Sequence, residues 1–407
     1  MLVVLGFVAF VLALLVSVTL HEGGHFLMAR RYGMKSTQFF VGFGKTLYSR
    51  QRGETEYGIK AIPAGGFVKI VGMTQLEEVD PADEKRAFWR QPPGQRTIVL
   101  AAGSTVHFII AILLVLLSSL AIGKAVELQP GIGRVASCVT AAAGGACTDG
   151  GSLPSPAQAA GFLAGDTVVA VAGVPIAGTE ALVRALRKYP SEQVVVSILR
   201  NGQPRELTVT PTAVSRPALD QQVGEPIRYE RVGAIGILPE FRQGTERLGP
   251  IAAVQNSVTT GKAMVTGIVE TFSEKLGTIT KVYGPDRDPA GFVGVVGAGR
   301  ISGEVIASEE TAGIKVLSFL LLIAGLNLFV GVFNLLPLMP LDGGHLAVLF
   351  FEQARDKVRR LFGYTGALRR VDLNKLLPLT YAVVVFFAGF TVWLLGADIV
   401  NPIRLPQ

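Results

Sequence analysis

Residues 1–25 read MLVVLGFVAFVLALLVSVTLHEGGH, an apolar run from Leu2 to Leu20 that passes straight into two histidines and a glutamate. A run of that length matches the ~20 residues of helix that cross ~30 Å of bilayer hydrocarbon. It has no basic start and no small-residue cleavage site before His21, so it is expected to be retained rather than removed as a signal peptide. Similar runs follow at Thr97–Ile122, Val316–Leu336 and Leu376–Leu395. With 49% hydrophobic and 17% charged residues among 407, the composition excludes an ordinary soluble enzyme. An integral membrane protein with four transmembrane helices is expected.

Lys and Arg crowd the segment between the first and second runs, from Arg30 and Arg31 to Arg90 and Arg96, and the one between the third and fourth, from Arg355 to Lys375. The excess of cations places both segments on the cytoplasmic side and both termini outside. The net charge of +7 then reads as topology plus attraction to anionic lipid, and no aromatic-interleaved basic patch points to nucleic acid. The stretch GFGKT at 42–46 ends like a phosphate-binding loop, but Phe39 stands where the first glycine belongs. Without that glycine and a preceding strand, no nucleotide is expected. The two cysteines, Cys138 and Cys147, fall in the segment assigned outside; a short-loop disulfide is the expectation, with two free thiols the alternative.

His21-Glu22-Gly23-Gly24-His25 fits the H-E-x-x-H pattern, whose histidines at i and i+4 share one helical face. Two imidazoles so placed suit one zinc ion, and Glu22 beside them can take a proton from an activated water. Ionisable residues in a membrane segment are costly, which argues against chance; the chain's four histidines, His21, His25, His107 and His345, all lie in or beside apolar runs. Catalytic zinc usually takes three protein ligands. The third is read as Asp342 in NLLPLMPLDGGH (Asn334–His345), where Pro337 and Pro340 break the third helix, with His345 the competing candidate.

Residues 154–212 show strand signals at Thr167–Ala172, Val194–Leu199 and Glu206–Thr210, a helix at Thr179–Lys188, and an Asn201-Gly202 hairpin turn. This stretch, with AAGFLAGDTVVAVAGVPI at its start, resembles a circularly permuted bacterial PDZ domain, a module that binds extended peptides by strand addition. Residues 241–300 are read as a mildly amphipathic stretch (Ile251–Val282), a linker (Gly284–Pro289) and a Gly/Val-rich segment, forming surface helices near the membrane.

H-E-x-x-H in the first helix, N-x-x-P-x-x-x-x-D-G at the third, and a PDZ-like insert between the second and third together resemble the site-2 protease family of intramembrane zinc metalloproteases. The likeness covers nearly the whole chain: GETEYGIKAIPAGGFVKIVGM is similar to the family's cytoplasmic membrane-re-entrant β-hairpin, VGFGKTLYS to the segment before it, and ADIVNPIRL to the ending of its actinobacterial branch. The resemblance implies Zn2+ held by His21, His25 and Asp342, water activation by Glu22, and substrate or oxyanion contact by Asn334. It also implies a hairpin (Tyr57–Val71, with Gly65, Gly66 and Phe67) that pairs with an unwound substrate strand. One departure stands in the second helix, AAGSTVHF, where Ser104 replaces the family proline and His107 the family asparagine. His107 either adds an imidazole near the site or hydrogen-bonds a neighbouring helix, the second reading being preferred.

The expected fold is an α-helical polytopic membrane protein with a cytoplasmic membrane-associated β-hairpin and an inserted extracytoplasmic PDZ domain. The expected order is a first transmembrane helix (1–29), a cytoplasmic loop with the hairpin (30–96), a second helix (97–122), the PDZ domain (123–240) and an amphipathic segment (241–314). A third helix with the LDG motif (315–345), a cytoplasmic loop (346–375) and a fourth helix (376–400) complete it. The expected activity is a zinc endopeptidase of the bacterial cytoplasmic membrane. Its expected substrates are single-span membrane proteins, foremost anti-sigma factors already trimmed by an upstream site-1-type protease. Clearance of remnant signal peptides and a proteolytically silent PDZ scaffold are the alternatives, and a zinc transporter is disfavoured because the ionisable residues cluster toward one face.

Overall fold

A computed structural model describes residues 1–73, 78–140, 147, 152–220, 227–284, 287–288, 291–366 and 370–403. Part of the expected linker (Pro285, Asp286 and Pro289), Arg369, and the ending from Arg404 onward lie outside the described residues. The chain divides into two compact units, Met1–Gly123 with Arg247–Gln407, and Lys124–Glu246.

In the first unit, α1 (Leu2–Arg31), α2 (Pro93–Ala121), α7 (Ala312–Asn334) and α9 (Leu377–Val400, entered through a short turn from Leu373) are long and apolar enough to cross a membrane. Much of their apolar surface stays exposed, including Leu5, Leu12, Val16 and Leu20 on α1 and Val385, Phe386 and Val392 on α9. Exposed apolar area of that extent suits lipid rather than water. Ala111 and Val115 of α2 pack on Ala324 of α7.

Two elements differ from the sequence expectation. The hairpin does not begin near Tyr57: β1 (Ser36–Arg52) and β2 (Thr55–Ile70) are both long, and the chain turns at Gly53-Glu54. Gln38–Val41 pairs with Gly66–Lys69 and also with Glu56–Ile59, so the two strands fold back into a small curled sheet. The bend comes at Gly42 and Gly44, whose φ of 87° and 82° let the strand turn and continue past it. The expected loop 346–375 is mostly helix. Pro337 and Pro340 stop α7, and α8 (Asp342–Leu361) starts immediately with Asp342 in its first turn, where a carboxylate suits the positive helix end.

The stretch read as amphipathic forms α5 (Pro250–Glu274), tied to α2 by Asn256 Nδ2 donating to Ser119 Oγ at 2.9 Å. The Gly/Val-rich segment forms α6 (Val295–Ala307), which lies against α1 with Gly6 facing the backbone of Ser302 and Gly303. Small residues allow that approach. Arg287 caps the end of α9, donating to the carbonyls of Ala397 (2.9 Å) and Asn401 (2.5 Å) and pairing with buried Asp398 at 2.8 Å.

The second unit is an antiparallel sheet of strands in the order Gln203–Val209, Val194–Arg200, Thr167–Val171, Gly131–Val135 and Ile237–Glu240, with Val174–Pro175 beside the third. Alternate residues of the strands, among them Val168, Val196 and Ile198, face Leu182 and Leu186 of α4 (Thr179–Arg187) and Ala157 of the one-turn α3 (Pro156–Ala159). Asn201 and Gly202, both at positive φ, make the expected turn. Cys138 and Cys147 are joined through sulfur, with Cα atoms 5.9 Å apart.

Asp166, buried at the head of its strand, receives Arg200 Nε at 2.7 Å, Arg200 Nη2 at 2.8 Å and the Leu163 N–H at 2.8 Å. Burial pushes the carboxyl up, but Arg200 and the Leu163 amide together hold it below the usual carboxylate range. A lowered folded pKa means the stabilisation is complete above the unfolded value of ~3.9 and is lost as pH falls through the folded one. Asp166→Asn is therefore expected to cost about 2 kcal/mol at neutral pH, with the difference from wild type vanishing in acid. Hydrogen exchange of the Thr167–Val171 amides in the full chain measures both.

Candidate active site and metal centre

His21 and His25 sit one turn apart in the interior of α1, on the face turned toward α2. The helix carries no charged residue before Glu22, so nothing competes with the imidazoles for that buried face. His25 Nε2 lies 3.2 Å from His21 Nε2, and Asp342 Oδ2 lies 3.4 Å and 3.3 Å from those two nitrogens. Around a tetrahedral zinc with bonds of ~2.0–2.2 Å, ligand atoms stand on the order of 3.4 Å apart. The three atoms are therefore spaced as three donors to one zinc ion would be.

The surrounding hydrogen bonds agree. His25 Nδ1 is 2.7 Å from the carbonyl of Val99, which can only accept, so Nδ1 carries the proton and Nε2 presents its lone pair. Asp342 Oδ2 is buried with no aligned hydrogen-bond donor among the described residues, which leaves its lone pairs free for a cation. Asp342 reaches this position because α8 begins with two glycines. A side chain at Gly343 would collide with the backbone of Leu335 and Leu336, and one at Gly344 would come within 2.7 Å of the Leu338 and Met339 backbone.

α2 crosses the histidine pair at Gly103. A Cβ there would run into His25 Nε2 and come within 2.7 Å of His21 Nδ1. One turn further on, His107 packs its ring on His21, centroids 4.9 Å apart, and its Nδ1 is 2.8 Å from Asn327 Oδ1. Asn327 Nδ2 donates to Ser17 Oγ (3.1 Å) and to the Ile323 carbonyl (2.8 Å), so one buried network joins α1, α2 and α7. His107 thus makes the interhelical hydrogen bond and also lies beside the site.

Glu22 Oε2 accepts the Val68 N–H of β2 at 3.1 Å, and a Cβ at Gly66 would stand 3.5 Å from Glu22 Cγ. The strand bearing Gly65, Gly66 and Phe67 therefore runs alongside the carboxylate. Asn334 is the half-buried last residue of α7, ahead of the segment that leads to Asp342. His345 is not in the close group; it lines a cavity beside α2 instead. The disulfide pair belongs to the second unit. Sequence reading did not single out Gly103, Asn327, Ser17 or the Val68 amide. Asn327, a lone amide inside an apolar helix, carried the clearest signal.

The profile of peptidase family M50 matches residues 9–369. The chain belongs to peptidase family M50, the site-2 protease family. Zinc metalloprotease Rip1 of Mycobacterium tuberculosis is 38% identical over the full length of both chains, and that of Mycolicibacterium smegmatis 36% over 99% of both. A putative zinc metalloprotease of Neisseria meningitidis is 28% identical over 86% of this chain and 91% of its own. This M50 protein is accordingly a zinc metalloprotease of the membrane, and Zn2+ is its cofactor.

Gly103 gives a direct check. Gly103→Ala is expected to push the imidazoles apart and weaken zinc retention at least tenfold in chelator competition, while Gly23→Ala, which meets nothing within 4 Å, should leave it unchanged.

Proposed function

We propose that His21, His25 and Asp342 hold the zinc and that Glu22 is the general base of a peptide hydrolysis carried out on membrane-embedded substrates. The observation that carries the reading is the position of Glu22, next to a metal ligand in sequence and hydrogen-bonded to a strand of the hairpin sheet. When bound, zinc supplies Lewis-acid polarisation of a carbonyl and makes a nearby water acidic enough to ionise near neutral pH. Glu22 then accepts the proton of the attacking water and passes it to the leaving amine. Asn334 donates its amide to the substrate backbone or to the charge that develops on the carbonyl oxygen.

A helix buries its carbonyls in its own hydrogen bonds, so a transmembrane substrate must unwind locally before it can be cut. The stretch Gly66–Lys69 pairs with Gln38–Val41 on one side and sends the Val68 N–H toward Glu22 on the other. That free edge supports docking of the unwound segment as an added strand along Gly65, Gly66 and Phe67. In this reading both termini and the Lys124–Glu246 unit are extracytoplasmic, and that unit is a PDZ domain admitting only substrates whose outer part an earlier protease has removed. The Rip1 relatives support regulated intramembrane proteolysis, and the resemblance to the site-2 protease family makes single-span proteins, with anti-sigma factors as the leading class, the proposed substrates.

The test uses detergent-purified full-length protein and a single-span anti-sigma factor already trimmed on its outer side. Glu22→Gln is expected to keep wild-type zinc content and lose activity by a factor of about 100–10,000. Asp342→Asn is expected to lose both zinc and activity. Equal cleavage by wild type and Glu22→Gln, with contaminating proteases excluded, would overturn the proposed role of Glu22.

A further inference from the structure

Against α2 and α8 lies a small open pocket lined by Phe88, Trp89, Arg96, His345, Glu352 and Arg370 among others. No step of peptide hydrolysis uses it. Its chemistry is that of an anion site. The guanidinium of Arg96 lies 5.2 Å over the Phe88 ring and that of Arg370 3.9 Å over the Trp89 ring, so aromatic faces hold both planar forks. The one carboxylate lining the cavity, Glu352, is poorly engaged with Arg96, at 3.7 Å from Nη2, because its other oxygen accepts the Val371 N–H at 2.7 Å. Arg96 Nε is buried with no hydrogen-bond partner among the described residues. With His345 uncharged, the lining carries a surplus of one positive charge.

We propose that this cavity binds the phosphate of an anionic phospholipid headgroup. The shared chemistry of lipid and free phosphate would satisfy the two arginines equally, but their placement favours lipid. Arg96 immediately precedes Thr97, where the second apolar run begins, and Arg370 stands just ahead of Leu373, where the fourth span begins. Both cations thus mark the end of hydrocarbon, the depth of the phosphate layer, with Trp89 as the amphipathic ring favoured at that boundary. A headgroup seated here rests against α8, three residues along from Asp342. The inference does not depend on the proposed substrate or catalytic roles.

The test reconstitutes the full-length protein in nanodiscs of phosphatidylcholine alone or mixed with phosphatidylglycerol, extracts it gently, and counts retained lipid by native mass spectrometry. Wild type is expected to retain one phosphatidylglycerol in preference to phosphatidylcholine. Arg96→Gln with Arg370→Gln is expected to weaken that retention roughly tenfold or more. Glu352→Gln keeps an acceptor for the Val371 amide and removes the competing charge, so it should strengthen retention several-fold, a gain that misfolding cannot mimic. Equal retention of the two lipids by wild type, or no change in either variant, would overturn the proposal. Displacement of the lipid by millimolar inorganic phosphate would overturn it in favour of a free-anion site.

Discussion

Asp342 Oδ2 is buried between His21 Nε2 and His25 Nε2, 3.4 Å and 3.3 Å away, with no aligned donor to satisfy it. Taking a carboxylate out of water costs several kcal/mol unless a cation or a full set of hydrogen bonds compensates it. The rest of the apolar unit brings together around it the donor set that a divalent cation would compensate. α1 supplies two imidazoles from one face, the interruption of α7 by proline allows a second helix start to bring in the carboxylate, and α2 comes close enough over Gly103 to close the group off. Each feature makes little sense without the others. A histidine pair in a lipid-facing helix is costly, and so is a broken helix beside it.

That constraint also explains where polar groups cluster along the bundle. Ser17, His107 and Asn327 satisfy one another one layer beyond the ligands, and His25 Nδ1 uses the Val99 carbonyl. These bonds fix the ring orientations of His25 on α1 and His107 on α2. Arg287 and Asp398 solve a separate problem at the end of α9, giving the last carbonyls of a sparsely packed helix a buried donor.

The helices and the site were legible in the sequence to different depths. Apolar length alone located the spans, because hydrocarbon thickness permits few other readings, and the i, i+4 spacing of His21 and His25 put both on one face. Asp342 was legible as a polar residue behind two prolines. What escaped is set by contacts between distant segments. Gly42 and Gly44 signal a break, and only the pairing of Gln38–Val41 with both Gly66–Lys69 and Glu56–Ile59 reveals that the strand bends and continues. The helix from Asp342 to Leu361 was hidden by its charge, since its partners Val99 and Leu100 of α2 belong to another part of the chain. Gly103 looks like any helical glycine until the histidines beneath it are known.

The hydrogen bond from the Val68 amide to Glu22 links the two halves of the site's chemistry. Val68 lies on an edge of the curled sheet, with Phe39 paired on its other side, so its N–H has no strand partner to satisfy it. A half-buried amide requires an acceptor, and Glu22 provides one from the turn of α1 that carries His21 and His25. A strand added along that edge would bring its own carbonyls to the same amides. Its arrival and the release of the Glu22 carboxylate from Val68 would then be one event. A folded helix, with its carbonyls already engaged, cannot make that exchange.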